Sequence, residues 1–141
     1  MKLYYSKGAC SLAVRIVINE IGMDAVYESV DLKSKKTESG RDFKAINAKG
    51  SVPTLELDNG KILTENAVIQ QYLADEAKVY ELLPEVGDLK RYRVLEWLNY
   101  ITTELHKGFG ALFNPTMSQD LKDELFIPMR CLVIMANLDQ H

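Results

Sequence analysis

Residues 51–63 carry the pattern that most restricts what this chain can fold into. Ser51-Val52-Pro53-Thr54-Leu55-Glu56-Leu57 and Lys61-Ile62-Leu63 are two alternating runs joined by Asp58-Asn59-Gly60. Asn-Gly between such runs is the strongest short-range signal for a β-hairpin. Pro53 has no N–H to give to a ladder, so it must stand at the start of its strand. Directly after the hairpin, Thr64 caps a helix that holds Ala67, Val68, Ile69, Tyr72 and Leu73.

The segment before the hairpin supplies a crossover. Lys2 to Tyr5 is short, apolar and aromatic, as an opening strand is. Gly8 and Ala9 allow a tight turn, and Cys10 or Ser11 stands where a helix begins. Leu12, Ile16, Val17, Glu20 and Ile21 form a mostly apolar face at helical spacing, with Gly22 as the stop. Tyr27 to Asp31 predicts a second strand. Ser39 to Ile46 predicts a short helix, with Ser39 and Asp42 spaced like a capping box. The order is β-α-β-α-β-β-α, an α/β sandwich over residues 1–77.

Ala77 to Gly87 is a connector containing Pro84 and Gly87, and the period changes after it. Val94, Leu98, Ile101 and Leu105 make a helical stripe between Asp88 and Lys107. A further helix is expected from about Ser118 to Leu138, kinked at Pro128. Residues 88–141 therefore read as a second, all-helical domain.

Composition narrows the function classes. Apolar residues are 47% and charged residues 26% of 141, ordinary values for a globular chain. Seventeen basic and 20 acidic residues are mixed along it, for a net charge of -3, which predicts neither nucleic-acid nor membrane partners. The N-terminus turns polar at Ser6, too early for a signal peptide. The apolar stretch Phe126 to Leu138 contains Arg130 and is shorter than the roughly 20 residues that span a bilayer. Cys10 and Cys131 form no disulfide framework and no metal-ligand spacing. A soluble cytoplasmic protein with reduced thiols and no metal is expected, with Cys131 as a core residue.

Three features can carry chemistry. Cys10 at a helix N-terminus faces unpaired N–H groups and the positive end of the dipole, which favour thiolate over thiol. Lys7 and Arg15 are close in sequence and add positive charge. Ala13 occupies the second place of a C-x-x-C pair, so a dithiol cycle is excluded while mixed-disulfide chemistry is not. The plainer reading of Cys10 is a small buried hydrophobe. Val52-Pro53 ahead of a strand is either an ordinary trans proline or the cis bond of thioredoxin-like folds, which turns backbone groups towards a bound peptide. Thr64-Glu65-Asn66 is either a capped acidic helix start or a site for an α-amino-acid zwitterion, with N–H groups for the carboxylate and Glu65 for the ammonium.

Together these residues resemble the glutathione transferases of the bacterial beta class. The resemblance rests on Lys2-Leu3-Tyr4-Tyr5-Ser6-x-Gly8-Ala9-Cys10-Ser11-Leu12, Asp31-Leu32-x-x-Lys35-Lys36-Thr37 and Asn47-x-Lys49-Gly50-x-Val52-Pro53. It continues through Leu63-Thr64-Glu65, Glu96-Trp97-Leu98-Asn99 and Thr103-Glu104-Leu105-His106-Lys107, and covers residues 1 to about 115. It implies a thioredoxin-like glutathione domain joined to an all-helical domain, in a homodimer, with glutathione as co-substrate and no other cofactor. Cys10 would lie beside the glutathione sulfur and can form a mixed disulfide with it; Tyr5 and Ser11 would lie near that sulfur. Lys35 would meet a glutathione carboxylate, Val52 ahead of Pro53 would pair with the cysteinyl backbone, and Glu65 and Asn66 would hold the γ-glutamyl end. Asn99 would approach from the partner subunit, and His106, the second catalytic candidate, would line the electrophile side with Lys107. On spacing alone, His106 and Lys107 equally suit the C-terminal end of a helix dipole.

The chain departs from the family at Lys7, where proline is usual, and at Asn66, where a small residue is usual. The family also continues through further helices, whereas this sequence stops at His141, so the helical domain is expected to be incomplete. The expected activity is conjugation of glutathione to small electrophiles, thiol-disulfide exchange through Cys10, or both. A glutaredoxin-like monothiol oxidoreductase and a non-catalytic ligand-binding remnant are the alternatives.

Overall fold

Alternation in the first strand sets the layers of the N-terminal half. In β1 (Lys2–Tyr5), Leu3 and Tyr4 point to opposite faces and both are fully buried, so the sheet must be covered on both sides. The computed structural model describes residues 1–114 and 116–126, and the chain divides into two compact units, Met1–Asp88 and Leu89–His141. The connector belongs to the first unit, where Leu83 is buried.

The first unit continues with α1 (Ser11–Glu20), β2 (Val26–Asp31), β3 (Lys36–Thr37), α2 (Phe43–Ile46), β4 (Thr54–Glu56), β5 (Ile62–Thr64) and α3 (Asn66–Ala77). The sheet order is β3-β2-β1-β4-β5. β1 and β2 run parallel, as a crossover through α1 requires, and β4 runs antiparallel to both β1 and β5. This is the thioredoxin-like arrangement. On one face Leu3 and Leu55 meet Val14 and Ile18 of α1 and Ile69 and Leu73 of α3; on the other Tyr4, Val30 and Val52 meet Phe43 of α2.

The structure corrects several local expectations. β3 is a two-residue strand added at the edge, paired with Val30 and Asp31. The helix expected from Ser39 begins only at Phe43, because Asp42 alone caps it, accepting from Lys44 N–H at 3.0 Å. Ser39 donates instead to Glu28. The hairpin turn is a three-residue loop: Gly60 N–H donates to Leu57 O, Leu57 N–H to Lys61 O, and Gly60 has φ +77°. It spans the expected Asp58-Asn59-Gly60 and is a type I turn closed by a left-handed glycine. The cap of α3 is Glu65 at φ +71°, since Thr64 is drawn into β5.

Beneath the α2 layer lies a polar network. Tyr4 donates to Glu56 at 2.6 Å, and Arg41 donates to the Tyr4 hydroxyl at 3.3 Å. Burial, then the Glu56 hydrogen bond and charge, push the Tyr4 hydroxyl up to about 12. Glu28 accepts from Lys2 at 3.0 Å. Burial alone raises the Glu28 carboxyl, but hydrogen bonds from Ser39, Thr37 and Lys2 outweigh it and hold the group at about 2. A depressed carboxyl stabilises the fold above its unfolded value and loses that contribution as pH falls through its folded value. Glu28→Gln is therefore expected to cost about 2 kcal/mol at pH 7, the range of hydrogen bonds to a charged group. The gap to the unaltered protein should close as pH falls from the ordinary 4.5 towards about 2, as read by urea titrations at a series of pH values.

The second unit holds α4 (Leu89–Tyr100), a π-helical segment Ile101–His106, α5 (Lys107–Gly110) and a 3₁₀ turn Ala111–Phe113, and residues 119–126 are helical. The uninterrupted α-helical stripe expected to Lys107 thus changes period at Ile101. Thr102 donates to Leu98 O at 2.7 Å and Thr103 to Asn99 O at 3.1 Å. These hydroxyls engage the carbonyls that an α-helical ladder uses, which favours the wider π turn. The expected kink at Pro128, the core place of Cys131 and the helix beyond residue 126 lie outside the described residues.

Candidate functional site

The end of β1 and the start of α1 place Cys10. Cys10 is the N-cap of α1 at φ −59°, without a side-chain cap bond. Its half-buried thiol donates to Val52 O at 3.5 Å. The Val52–Pro53 peptide is cis. Thus two of the three sequence features, 42 residues apart, meet at one point.

The loop leading to Val52 is braced from below. Buried Asn47 donates to Ser51 O at 3.0 Å and to Thr54 Oγ1 at 2.9 Å, while the Thr54 hydroxyl also donates to Ser51 O. Lys35, at φ +58°, lays its chain across Gly50 and donates to Gly50 O at 2.8 Å. Gly50 has φ +60°, the left-handed backbone that favours glycine, while an added Cβ would only touch the Lys35 stem at 3.4 Å. The ammonium expected to meet a carboxylate is thereby held beside the loop of Val52 and Pro53.

The third feature lies on the same unit. Glu65 is 60% exposed and pairs with Lys49 Nζ at 2.6 Å, and Lys49 also donates to Thr64 Oγ1 at 3.1 Å. A non-glycine residue at φ +71° is costly, and such strain concentrates at functional sites. Asn66 donates to Cys10 O at 2.6 Å and joins this helix start to the cysteine turn.

Two expected ligand residues have other engagements. Ser11 is fully buried, receives Ser6 N–H at 3.3 Å and donates to Ser6 O at 3.3 Å. Its hydroxyl fastens β1 to α1 and is not presented for contact with a sulfur atom. Asn66 accepts from Gln70 at 2.6 Å while donating to Cys10, so its amide is turned inward. Tyr5 is half-buried at the end of β1, with its ring edge-on to Tyr27 and the Arg15 guanidinium 5.0 Å from each ring centre. In the second unit Asn99 lies on α4, His106 ends the π segment and Lys107 opens α5, and all three are exposed.

Among the described residues no group of three metal-ligating side chains gathers, and no helix is long and apolar enough to cross a membrane.

Comparison with known proteins decides the family. Residues 8–76 match the family model described as the glutathione S-transferase N-terminal domain. The chain is 52% identical to glutathione S-transferase GstA of Escherichia coli O157:H7 over 122 residues, covering 86% of this chain and 61% of that protein. A sphingomonad glutathione S-transferase solved with glutathione is 43% identical, with a TM-score of 0.90 over 99% of this chain and 69% of that one. The bacterial beta class enzyme of Sphingomonas chungbukensis is 39% identical with a TM-score of 0.93, over 99% of this chain and 69% of that one. The chain belongs to the glutathione S-transferase family. It spans less than two thirds of the length of the curated relatives it matches, such as 61% and 55%.

Within this family frame, sequence reasoning passed over Lys49, Asn47 and Gln70 as site residues, while Arg15, expected to add charge near Cys10, lies over the Tyr5 and Tyr27 rings. Lys49 and Asn47 lie in the quoted Asn47-x-Lys49-Gly50 motif, which was the available signal. Gln70 stands at helical i, i+4 spacing from Asn66, a local signal that gives no hint of the link on to Cys10.

Proposed function

We propose that this protein is a glutathione transferase whose N-terminal unit binds glutathione and whose Cys10 exchanges disulfides with it, alongside conjugation of the glutathione thiolate to small electrophiles. The observation that carries this reading is the Cys10 thiol at 3.5 Å from the carbonyl of Val52, beside the cis proline. A tripeptide paired with the Val52 backbone brings its own cysteine next to Cys10. Lys35 faces the glycyl carboxylate, and the open N–H groups at the start of α3 take the γ-glutamyl carboxylate. Glu65 takes the ammonium, in exchange for Lys49. Tyr5 stands near the sulfur atoms, with Asn66 behind Cys10.

In exchange, the Cys10 thiolate attacks the glutathionyl sulfur of a mixed disulfide, expelling the other thiolate and forming Cys10–S–S–glutathione. A second glutathione thiolate attacks that bond, restoring Cys10 and releasing oxidised glutathione. Thiolate formation is the step shared with conjugation. The reading includes a homodimer in the cytoplasm. Exposed Tyr92 and Trp97 on α4 support an assembly there, with Asn99 of the partner subunit reaching the ligand and His106 and Lys107 on the electrophile side.

Calorimetric titration of reduced glutathione, with light scattering for oligomeric state, tests the reading. Saturable binding is expected, and Glu65→Gln should weaken it about tenfold, allowing for solvent screening of an exposed carboxylate. No binding by a folded chain would overturn the reading.

A further inference from the structure

We infer that Asn66 and Gln70 are positioning residues for Cys10, forming a two-amide relay from α3 to the turn that carries the thiol. Gln70 stands one helical turn after Asn66, on the same face. Its amide donates to Asn66 Oδ1 at 2.6 Å, which leaves Asn66 Nδ2 to donate to Cys10 O at 2.6 Å. Were the Asn66 amide reversed, oxygen would face oxygen at Cys10 and donor would face donor at Gln70. The relay therefore has one satisfied polarity, set by the Cys10 carbonyl, which can only accept, and Gln70 completes it by satisfying the Asn66 oxygen.

The Cys10 carbonyl belongs to the cap of α1 and also accepts from Ala13 N–H at 3.1 Å. Fixing that carbonyl fixes the peptide plane between Cys10 and Ser11, and with it the direction in which the Cys10 side chain leaves the backbone. The outcome is the thiol aimed at Val52 O. The α1–α3 contact does not depend on the relay, because Val14 and Ile18 pack directly with Ile69 and Leu73. Asn66 also follows Glu65, so the residue that would hold the ammonium of glutathione adjoins the one that holds the cysteine turn. That link to turnover rests on the proposed function; the positioning of the thiol does not.

The test is the alkylation rate of Cys10 by iodoacetamide between pH 6 and 9, resolved by peptide mass spectrometry so that Cys131 is read separately. Asn66→Ala should release the sulfur from Val52 and raise the Cys10 rate about fivefold, the factor expected for one hydrogen bond. Gln70→Leu, which does not touch Cys10, should raise it in the same direction by a smaller factor. Ile69→Val, which loosens the same helix within the core, should lower the melting temperature and leave the Cys10 rate unchanged. Should Asn66→Ala not fold, Gln70→Leu carries the test alone. Folded variants that alkylate at the unaltered rate, or an Ile69→Val rate that rises equally, would overturn the relay. Absence of protection of Cys10 by reduced glutathione in the unaltered protein would instead count against the proposed function, leaving the relay to be decided by the rates.

Discussion

Cys10→Ala is expected to lower glutathione-dependent reduction of a mixed disulfide by at least about 10³-fold, because a positioned nucleophile supplies a large effective concentration that solvent does not. Glutathione affinity should stay within about threefold, since a thiol is a weak donor and the contact with Val52 O is long at 3.5 Å. Stability should change little, as Cys10 is only half-buried and caps α1 without a side-chain bond. The pattern of lost exchange with retained binding separates chemistry from recognition. Conjugation of a model electrophile divides further. Full activity in Cys10→Ala would mean that the glutathione thiolate alone is the nucleophile there, and parallel loss would mean that Cys10 organises that thiolate as well. Disulfide reduction at the unaltered rate would remove Cys10 from the exchange mechanism.

Why Cys10 was legible and much of its surroundings was not follows from where the contacts lie in sequence. The strand, turn and helix start around Cys10 are local patterns, and β1 (Lys2–Tyr5) and α1 (Ser11–Glu20) have the expected bounds. However, α1 buries Val14 and Ile18 and leaves Leu12 and Ile16 of the expected face exposed. The hairpin was equally local, its loop Asp58-Asn59-Gly60 closed by the left-handed backbone of Gly60. In contrast, Asn66 reaches Cys10 across 56 residues and Lys49 reaches Glu65 across 16. No periodic pattern encodes such pairs. Ser39 illustrates the same limit: its spacing from Asp42 suggests a cap, yet the depressed carboxyl of Glu28 on the neighbouring strand draws its hydroxyl away. The π segment was hidden because Ile101 and Leu105 fit an α-helical stripe, while the hydroxyls of Thr102 and Thr103 redirect the carbonyls behind them. Local rules thus placed the elements, and competition for hydrogen-bond partners decided their ends.

Leu55→Ala is expected to destabilise the first unit more than any surface change. Leu55 lies on β4 between Leu3 of β1 and Leu63 of β5, is fully buried, and packs with Val14 and Ile18 of α1 and Ile69 and Leu73 of α3. Removing a leucine side chain from such a core costs about 2–5 kcal/mol, through lost transfer energy and the cavity left behind. The upper half of that range is expected here, because strands on both sides and two helices hold the cavity open. Total stability for a domain is about 5–15 kcal/mol, so this is a large fraction of it. With a urea dependence of about 1–1.5 kcal/mol per molar for a small unit, the midpoint should fall by about 2–5 M. Leu12→Ala removes the same atoms from a residue that is 57% exposed, and should cost under about 0.5 kcal/mol. Leu55 also follows Thr54, whose hydroxyl holds Ser51 O ahead of Val52, so loosening β4 should weaken glutathione binding before the unit unfolds. Equal midpoints for the two alanine variants would mean that Leu55 is not the seam between the sheet and its two covering helices.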